Sequence, residues 1–194
     1  MRNATVERKT KETEISLELN LDGKGNYSIS TGIGFFNHML ELFSKHSLID
    51  LKLSVRGDLE VDCHHSVEDA GIVLGQAIKE ALGNKMSIKR YGNFTVPMDE
   101  TLATVNLDLS GRPYLVFNAE FSKSMVGDMD VETVEEFMMA VCANAGITMH
   151  VNVPYGSNNH HMIEGIFKAF ARALRIAVSK DDKVEGVPST KGIL

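Results

Sequence analysis

The sequence contains no tryptophan, and it has only two cysteines and four prolines among its 194 residues. Cys63 and Cys142 are too few for a disulfide framework, so we expect reduced thiols in a cytoplasmic protein. No apolar run approaches the ~20 residues needed to cross a bilayer. The N-terminal segment MRNATVERKTKETE also lacks the apolar core of a signal peptide. These absences predict a cytoplasmic protein without a membrane partner.

Charge and composition narrow the functional class further. The formal net charge of -6 provides no general attraction to nucleic acid, although a local basic pocket remains compatible with it. Hydrophobic residues make up 43% of the chain and charged residues 24%, as in ordinary globular proteins. A chain of this length suits one medium domain or two small halves packed together.

Three segments of the sequence occur twice, in the same order. The pairs are ISLELNLDG (15–23) with ATVNLDLSG (103–111), IDLKLSV (49–55) with ITMHVNV (147–153), and HHSVE (64–68) with HHMIE (160–164). Just before the first pair, Glu12-Thr13 matches Glu100-Thr101. The offsets are 88 positions (15 to 103), 98 positions (49 to 147) and 96 positions (64 to 160). The three offsets differ from one another by no more than the length of a loop insertion. Three such matches in the same order argue for an internal duplication.

Each half has the same predicted order of elements. The first two repeated segments alternate apolar and polar residues and therefore read as half-buried strands. Helical spacing of apolar residues follows in 35–49 and 131–147, and again in 64–83 and 160–178, where a histidine pair opens the helix. Without regular β-α-β alternation, this predicts an internally duplicated α+β fold, each half with helices packed on one face of a sheet.

The boundary between the halves is predicted within 84–91, so that the first half spans 1–88 and the second 89–194. Few proline or serine clusters occur along the chain. We therefore expect one compact unit in which the halves pack directly together, not two domains joined by a flexible linker.

The repeated His-His-x-x-Glu motif (HHxxE) has the spacing of a metal site. On a helix, His64 and Glu68 share a face, and His65 lies three residues from Glu68. The two histidines diverge, so they can serve two metals, and imidazole with carboxylate suits Mn, Fe or Zn. A zinc-protease helix differs, because its glutamate lies between the histidines. One histidine pair at a helix start is often a cap or surface feature, whereas two equivalent pairs favour metal binding.

Two further histidines could be metal ligands or ordinary structural residues. His150 lies on the predicted strand before the second pair and could add a ligand, or it could be an ordinary strand histidine. His38, in GFFNHML at a helix start, could be a ligand or a partly buried polar group.

Four segments together resemble the imidazoleglycerol-phosphate dehydratase family. They are DCHHSVEDAGIVLGQAIKEALG, DLSGRPY, NNHHMIEGIFKAFARALR and STKG, in that order, within a resemblance that runs from about Arg8 to Gly192. Membership would imply dehydration of imidazole glycerol phosphate to imidazole acetol phosphate in histidine biosynthesis. The resemblance also implies a fold like the second domain of ribosomal protein S5, a di-manganese site, and a homo-oligomer of 24 subunits with active sites between subunits.

The resemblance assigns roles residue by residue. It places Glu12 as the catalytic acid–base, which also touches substrate. The metal ligands it implies are His38, His64, His65, Glu68, His150, His160, His161 and Glu164. Substrate and phosphate contacts fall on Arg90, Arg112, Lys168, Ser189 and Lys191. Two positions depart from the family pattern, Asn37 for an aspartate and Leu42 for a glutamine, and we expect them to retune binding without abolishing the chemistry.

The residue types fit this chemistry. Removing a proton from a weakly acidic carbon requires a base such as Glu12, and metal ions stabilise the charge that develops. A dianionic phosphate favours arginine for bidentate contacts and lysine as a point charge. Taken without the resemblance, Glu12 and Lys168 would read as solvated surface residues, and STKG would read as a frayed tail.

Two other functions remain open at this point. A different di-metal enzyme, such as a hydrolase, could use the same duplicated scaffold, and the SGRPY and STKG segments argue against it. A metal-storage or structural metal-binding oligomer would leave Glu12, Arg90 and Lys191 without a role. An assay for dehydration with and without manganese separates these functions.

Overall fold

The computed structural model describes all residues, Met1–Leu194, as ten strands and four helices. In chain order the elements are β1 (Asn3–Lys9), β2 (Thr13–Asn20), β3 (Tyr27–Ser30), α1 (Gly34–Ser47), β4 (Asp50–Gly57), α2 (His64–Leu82), β5 (Tyr91–Met98), β6 (Thr101–Asp108), β7 (Tyr114–Asn118), β8 (Met125–Val126), β9 (Met129–Asp130), α3 (Glu132–Ala145), β10 (Thr148–Tyr155) and α4 (Asn159–Val178).

Two four-stranded sheets have the same topology. The first has the order β1-β2-β4-β3 and the second β5-β6-β10-β7. In each sheet three strands are antiparallel, and the last edge strand, β3 or β7, runs parallel to its neighbour. β8 and β9 form a separate hairpin. The predicted α+β duplication is therefore confirmed.

The helices lie on one face of each sheet because the strands alternate. In β2, Ile15, Leu17 and Leu19 are buried while the residues between them are exposed. α2 packs on β1 and β2 and also along α3, and α4 packs on β5 and β6 and also along α1. Gly71 permits the close approach of α2 to α3, since a Cβ there would lie 2.8 Å from the Phe137 carbonyl oxygen. One continuous core therefore joins the halves.

All four helices begin at the same end of the molecule. Asp128, in the turn between β8 and β9, accepts hydrogen bonds from the backbone N–H groups of Gly34 and Phe35 at the start of α1. The N–H of Asp130, just before α3, donates to the Cys63 sulfur, just before α2. Phe35 also contacts the ring of His160, the second residue of α4. Both HHxxE motifs therefore lie at this end.

Several elements of the sheets escaped the sequence analysis. The predicted helices at 64–83 and 160–178 are α2 and α4 to within one residue, but the sheet strands β1, β3, β5 and β7 were not identified. Each is an outer strand, and β3 is only four residues long, so pairing with a neighbour decides its conformation. The predicted boundary at 88 and 89 falls in the segment that links α2 to β5.

None of the four helices has both the length and the apolar composition that a membrane span requires.

Candidate active site and metal centre

The second HHxxE motif is held by a helix cap. The Asn158 side chain accepts hydrogen bonds from the backbone N–H groups of His160 and His161 at 2.9 and 3.4 Å, which satisfies donors that the first turn leaves free. The first motif has a similar contact, from the His64 N–H to Asp62 at 2.7 Å. Both histidine pairs are thus fixed in the first turns of their helices.

His38, His160 and Glu164 form one compact group of metal-binding side chains. One ligand atom from each lies within 4.8 Å of the other two. The Nε2 atom of His160 is 3.1 Å from Oε2 of Glu164, and that of His38 is 3.7 Å from the same oxygen. His38 comes from the first half of the chain and reaches the second motif because α1 packs along α4. Two imidazoles and a carboxylate form a donor set suited to a divalent transition metal.

Lys168 lies against the carboxylate of this group. Its Nζ atom is 2.5 Å from Oε1 of Glu164, which is only 7% exposed. Burial alone would raise the pKa of Glu164, but the hydrogen bond and charge of Lys168, followed by the hydrogen bond with His160, hold that pKa below its ordinary value. The carboxylate is therefore ionised at neutral pH, as a metal ligand must be.

The first HHxxE motif forms a more open pair. Nε2 of His64 lies 3.7 Å from Oε2 of Glu68, and both side chains are more than two-fifths exposed. No third histidine, cysteine or carboxylate completes a group of three with them in this chain. The two motifs therefore do not merge into a single cluster within one subunit.

The repeat gives His38 a counterpart in the second half, which the sequence analysis did not identify. His38 is the fifth residue of α1, and Glu136 is the fifth residue of α3. The two are 98 positions apart, the same offset that relates β4 to β10. Since α3 packs along α2 as α1 packs along α4, Glu136 is the counterpart of His38 on the side of the first motif. Extending the offset to the whole helix would have found it.

The second histidine of each pair is held by a carboxylate. Nδ1 of His65 lies 3.0 Å from Oδ2 of Asp58, and its Nε2 lies 3.9 Å from Oε1 of Glu12. In the other half, Nδ1 of His161 lies 2.8 Å from Oε2 of Glu100. The Nε2 atom of His161 then lies 4.0 Å from Oδ2 of Asp99. Each ring thus has one nitrogen held and the other directed at a second carboxylate.

These contacts change the protonation equilibria of both rings. The hydrogen bond to Asp58 raises the pKa of His65, and the hydrogen bond to Glu100 raises that of His161. In return, the contact with His161 contributes most to lowering the pKa of Glu100 to about 2. Glu100 is therefore a carboxylate throughout the neutral range.

His150 does not join either group. It projects from β10 onto the outward face of the second sheet, with Asn106 and Val116 as its strand neighbours and with its side chain exposed. The structure thus places it on the face opposite the helices, away from the metal-binding cluster.

Arg90, Arg112 and the C-terminal segment meet around Asp108. Arg90 donates to both carboxylate oxygens of Asp108, at 2.7 and 3.1 Å, and to the carbonyl oxygen of Pro188 at 2.9 Å. The hydrogen bond to Asp108 raises the pKa of Arg90. Arg112 lies 4.0 Å from Asp108 with its side chain 70% exposed. The backbone N–H of Lys191 donates to the hydroxyl of Ser189. This basic group (Arg90, Arg112, Ser189 and Lys191) is suited to an anion.

The basic group and the metal-binding cluster occupy opposite ends of α4. The N–H of Arg90 donates to the carbonyl of Ala177 near the end of α4, whereas His160 is in its first turn. Seventeen residues of helix separate these positions, which corresponds to about 25 Å at 1.5 Å per residue. A small ligand cannot contact both within one subunit.

The two departures from the family pattern lie around α1. The side-chain oxygen of Asn37 accepts from the N–H and the hydroxyl of Thr31, at 2.9 and 2.7 Å, and so braces the turn before the helix that carries His38. Leu42 is partly buried against the core. Neither side chain is among the cluster's three donors.

Known proteins resemble this chain along its entire length. The family model described as imidazoleglycerol-phosphate dehydratase matches residues 31–174. An imidazoleglycerol-phosphate dehydratase from Acetivibrio thermocellus is 63% identical over 193 residues, covering 100% of this chain and 99% of that protein. One from Clostridium acetobutylicum is 62% identical over 191 residues, covering 98% of this chain and 97% of that protein.

Solved structures with the same name share the fold. The crystal structure of imidazoleglycerol-phosphate dehydratase from Staphylococcus aureus superposes with a TM-score of 0.84 at 46% identity, covering 92% of this chain and 99% of that one. The Pyrococcus furiosus enzyme in complex with (S)-C348 also has a TM-score of 0.84, at 34% identity. The match covers 97% of this chain and 100% of that one. The similarity thus includes both halves of the duplicated fold.

Proposed function

The chain belongs to the imidazoleglycerol-phosphate dehydratase family, and from this premise we propose that it converts D-erythro-imidazole glycerol phosphate to imidazole acetol phosphate. Relatives that carry the family's name are 60–63% identical over nearly the whole chain, so the protein is a hydro-lyase of histidine biosynthesis. The observation that carries the finer proposal is the group formed by His38, His160 and Glu164, with Lys168 beside its carboxylate.

The donor set fits manganese. His38, His160 and Glu164 would hold one ion, and His64 and Glu68 would contribute ligands to a second. His65 and His161 would add Nε2, the ring nitrogen that Asp58 and Glu100 do not contact. When bound, the two ions would act as Lewis acids toward the substrate's imidazole ring, stabilising the negative charge that develops there.

Glu12 is suited to move the protons. Its side chain is 55% exposed, and its nearest ionic partner is Nε2 of His65 at 3.9 Å, so its oxygens remain available. In the reaction, the hydroxyl on the carbon next to the ring leaves as water, and the following carbon loses its proton to a base. The resulting enol takes up a proton on carbon to become the ketone. A single carboxylate can take and return these protons.

The phosphate would bind at the basic group. Arg112 offers an exposed guanidinium fork, and Lys191 adds a point charge beside the Ser189 hydroxyl. Arg90 has its guanidinium engaged by Asp108 and Pro188, so it would mainly hold the C-terminal segment in place for binding.

Because the basic group and the cluster lie at opposite ends of α4, the complete site would need two subunits. A homo-oligomer, of 24 subunits by the family resemblance, would bring the basic group of one chain to the metal-binding cluster of another. The two HHxxE motifs form no single cluster within one chain, so the same assembly would pair the first motif of one subunit with the second motif of its neighbour.

The test is a dehydration assay with purified protein and imidazole glycerol phosphate, before and after chelation and after manganese is restored. We expect formation of imidazole acetol phosphate only with metal present. Release of inorganic phosphate in place of the ketone would indicate a hydrolase, and metal binding without turnover would indicate a storage or structural protein.

A further inference from the structure

The duplicated carboxylates Glu12 and Glu100 have different surroundings. Both precede the threonine that opens the second strand of their half, Thr13 in β2 and Thr101 in β6. No hydrogen bond engages the Glu12 side chain, which only approaches His65 at 3.9 Å. Glu100, in contrast, accepts four hydrogen bonds. Equivalent positions of the repeat therefore hold one available carboxylate and one fully engaged carboxylate.

Glu100 links the ligand histidine to the loop that precedes it. Its Oε1 accepts from the backbone N–H groups of Ser157 and Asn158, at 3.3 and 2.9 Å, and from the hydroxyl of Thr101 at 3.0 Å. Its Oε2 lies 2.8 Å from Nδ1 of His161. The carboxylate thus fixes both the position of the α4 start and the rotation of the His161 ring.

The chemistry of the contact determines which nitrogen carries the proton. An ionised carboxylate has only acceptor sites, so Nδ1 of His161 must be the donor. The two backbone N–H groups and the hydroxyl that face Glu100 are all donors, as an ionised carboxylate requires. In the neutral ring, a proton on Nδ1 leaves the lone pair on Nε2. That nitrogen lies on the side of the ring away from Glu100, 4.0 Å from Oδ2 of Asp99.

The first half reaches the same result with a different residue. Both carboxylate oxygens of Asp58 lie within 3.2 Å of Nδ1 of His65. By the strand offset of 98, the counterpart of Asp58 is Gly156. A Cβ at Gly156 would lie 2.6 Å from the Thr101 hydroxyl oxygen and 2.7 Å from Cγ of Met162. The second half therefore has no room for a side chain at position 156, and Glu100 contacts Nδ1 of the histidine in its place.

We propose that Glu100 and Asp58 are positioning residues that hold Nδ1–H of His161 and His65 and so commit Nε2 of each ring to metal binding. Because Asp58 has taken over this role in the first half, Glu12 is released for proton transfer. The assignment rests on the proposed metal sites, and it divides the two duplicated glutamates into one that orients a ligand and one that reacts.

The test uses Glu100→Gln. The amide oxygen of this variant can still accept from Ser157 and Asn158, but its NH₂ group then faces Nδ1 of His161. Two donors cannot face each other, so the ring proton should move to Nε2 and remove the lone pair from the metal side. We expect manganese affinity, measured from free Mn²⁺ by electron paramagnetic resonance, to fall about 10- to 100-fold.

A second readout separates ring orientation from general damage. In metal-free protein labelled with ¹⁵N-histidine, the His161 nitrogen shifts should change from the Nδ1–H to the Nε2–H pattern, which a general loss of stability would not produce. In the first half, Asp58→Ala should weaken manganese binding, whereas Asp58→Asn should largely restore it, because its amide oxygen can turn toward Nδ1. Glu18→Gln, which removes a surface carboxylate paired with Lys52, is the matched control.

Three results would overturn the assignment in different ways. Unchanged manganese affinity in Glu100→Gln would mean that Glu100 does not prepare a ligand. Weaker affinity with His161 still in the Nδ1–H form would assign Glu100 a purely structural role. Wild-type protein that binds no manganese would contradict the proposed metal site itself.

Discussion

The rings of His38 and His160 lie 6.1 Å apart, centroid to centroid, on helices from opposite halves of the duplicated chain. Their Nε2 atoms approach the same oxygen of Glu164. Neither half contains all three side chains, so the cluster exists only because α1 packs along α4. The duplication thus produced a site whose ligands belong to both copies.

Metal content should depend on this cluster. In wild-type protein we expect two manganese ions per subunit by elemental analysis, loss of activity on chelation and recovery when manganese is added. His38→Ala removes one donor of the cluster, so it should lower the stoichiometry toward one ion. A fully active preparation with nearly no bound metal would refute the di-manganese proposal.

Glu12→Gln should separate catalysis from metal binding. The glutamine side chain keeps the size of glutamate but cannot transfer protons, so turnover should fall about 100-fold or more. Bound manganese should stay at the wild-type level, since Glu12 is not among the proposed ligands. If this variant lost its metal, Glu12 would have to be reassigned as a ligand.

Arg112 and Arg90 should respond differently to alanine substitution. Arg112→Ala removes an exposed charge-assisted contact worth about 1.5–3 kcal/mol, so the KM should rise roughly 10- to 150-fold with little change in unfolding free energy. Arg90→Ala leaves Asp108 without its bidentate partner, so it should also lower the free energy of unfolding.

Kinetics and urea unfolding of both variants check this contrast. Arg56→Ala is the control, because Arg56 is 80% exposed and pairs only with Glu14. Unchanged KM in Arg112→Ala and in Lys191→Ala would place the phosphate elsewhere.

Asp128 should stabilise α1 from the other half of the chain. α1 has no side-chain cap of its own, and Asp128 caps it at 2.6 and 3.0 Å, so Asp128→Ala should cost about 1 kcal/mol. Burial alone would raise the pKa of Asp128, but the N–H groups of Phe35 and Gly34 lower it below its ordinary 3.8. The contribution of its charge is therefore complete above pH 3.8 and is lost as the pH falls through the lowered pKa.

Urea unfolding of metal-free wild type and Asp128→Ala at neutral and acidic pH measures this effect. The difference in unfolding free energy between wild type and Asp128→Ala should be smaller at acidic pH than at neutral pH. An equal difference at both pH values would show that the ionised carboxylate is not what stabilises the helix start.

Mixing subunits should reveal a shared active site. His64→Ala and His160→Ala each damage every site in their own assemblies, whereas a mixed assembly can pair two intact motifs at some interfaces. After metal removal and mixing, manganese should restore part of the activity, because an ion that binds only the assembled form favours assembly. Light scattering that showed the same monomer with and without metal would contradict the shared site.

Local periodicity made much of this protein predictable from the sequence. Residues three and four apart share a helix face whatever surrounds the helix, so the spacing alone groups His64 with Glu68 and His160 with Glu164. The repeated strands and the span of α4 followed in the same way from alternation and from apolar spacing.

Contacts between distant segments were decided only by the tertiary structure. The meeting of His38 with Glu164, the cap of Asp128 on Gly34, and the different tasks of Glu12 and Glu100 depend on how helices and loops far apart in the chain pack together. Edge strands such as β3 likewise form because a neighbouring strand offers hydrogen bonds. Backbone geometry repeats every few residues and can be read locally, whereas packing depends on the shapes of surfaces that the chain brings together only when it folds.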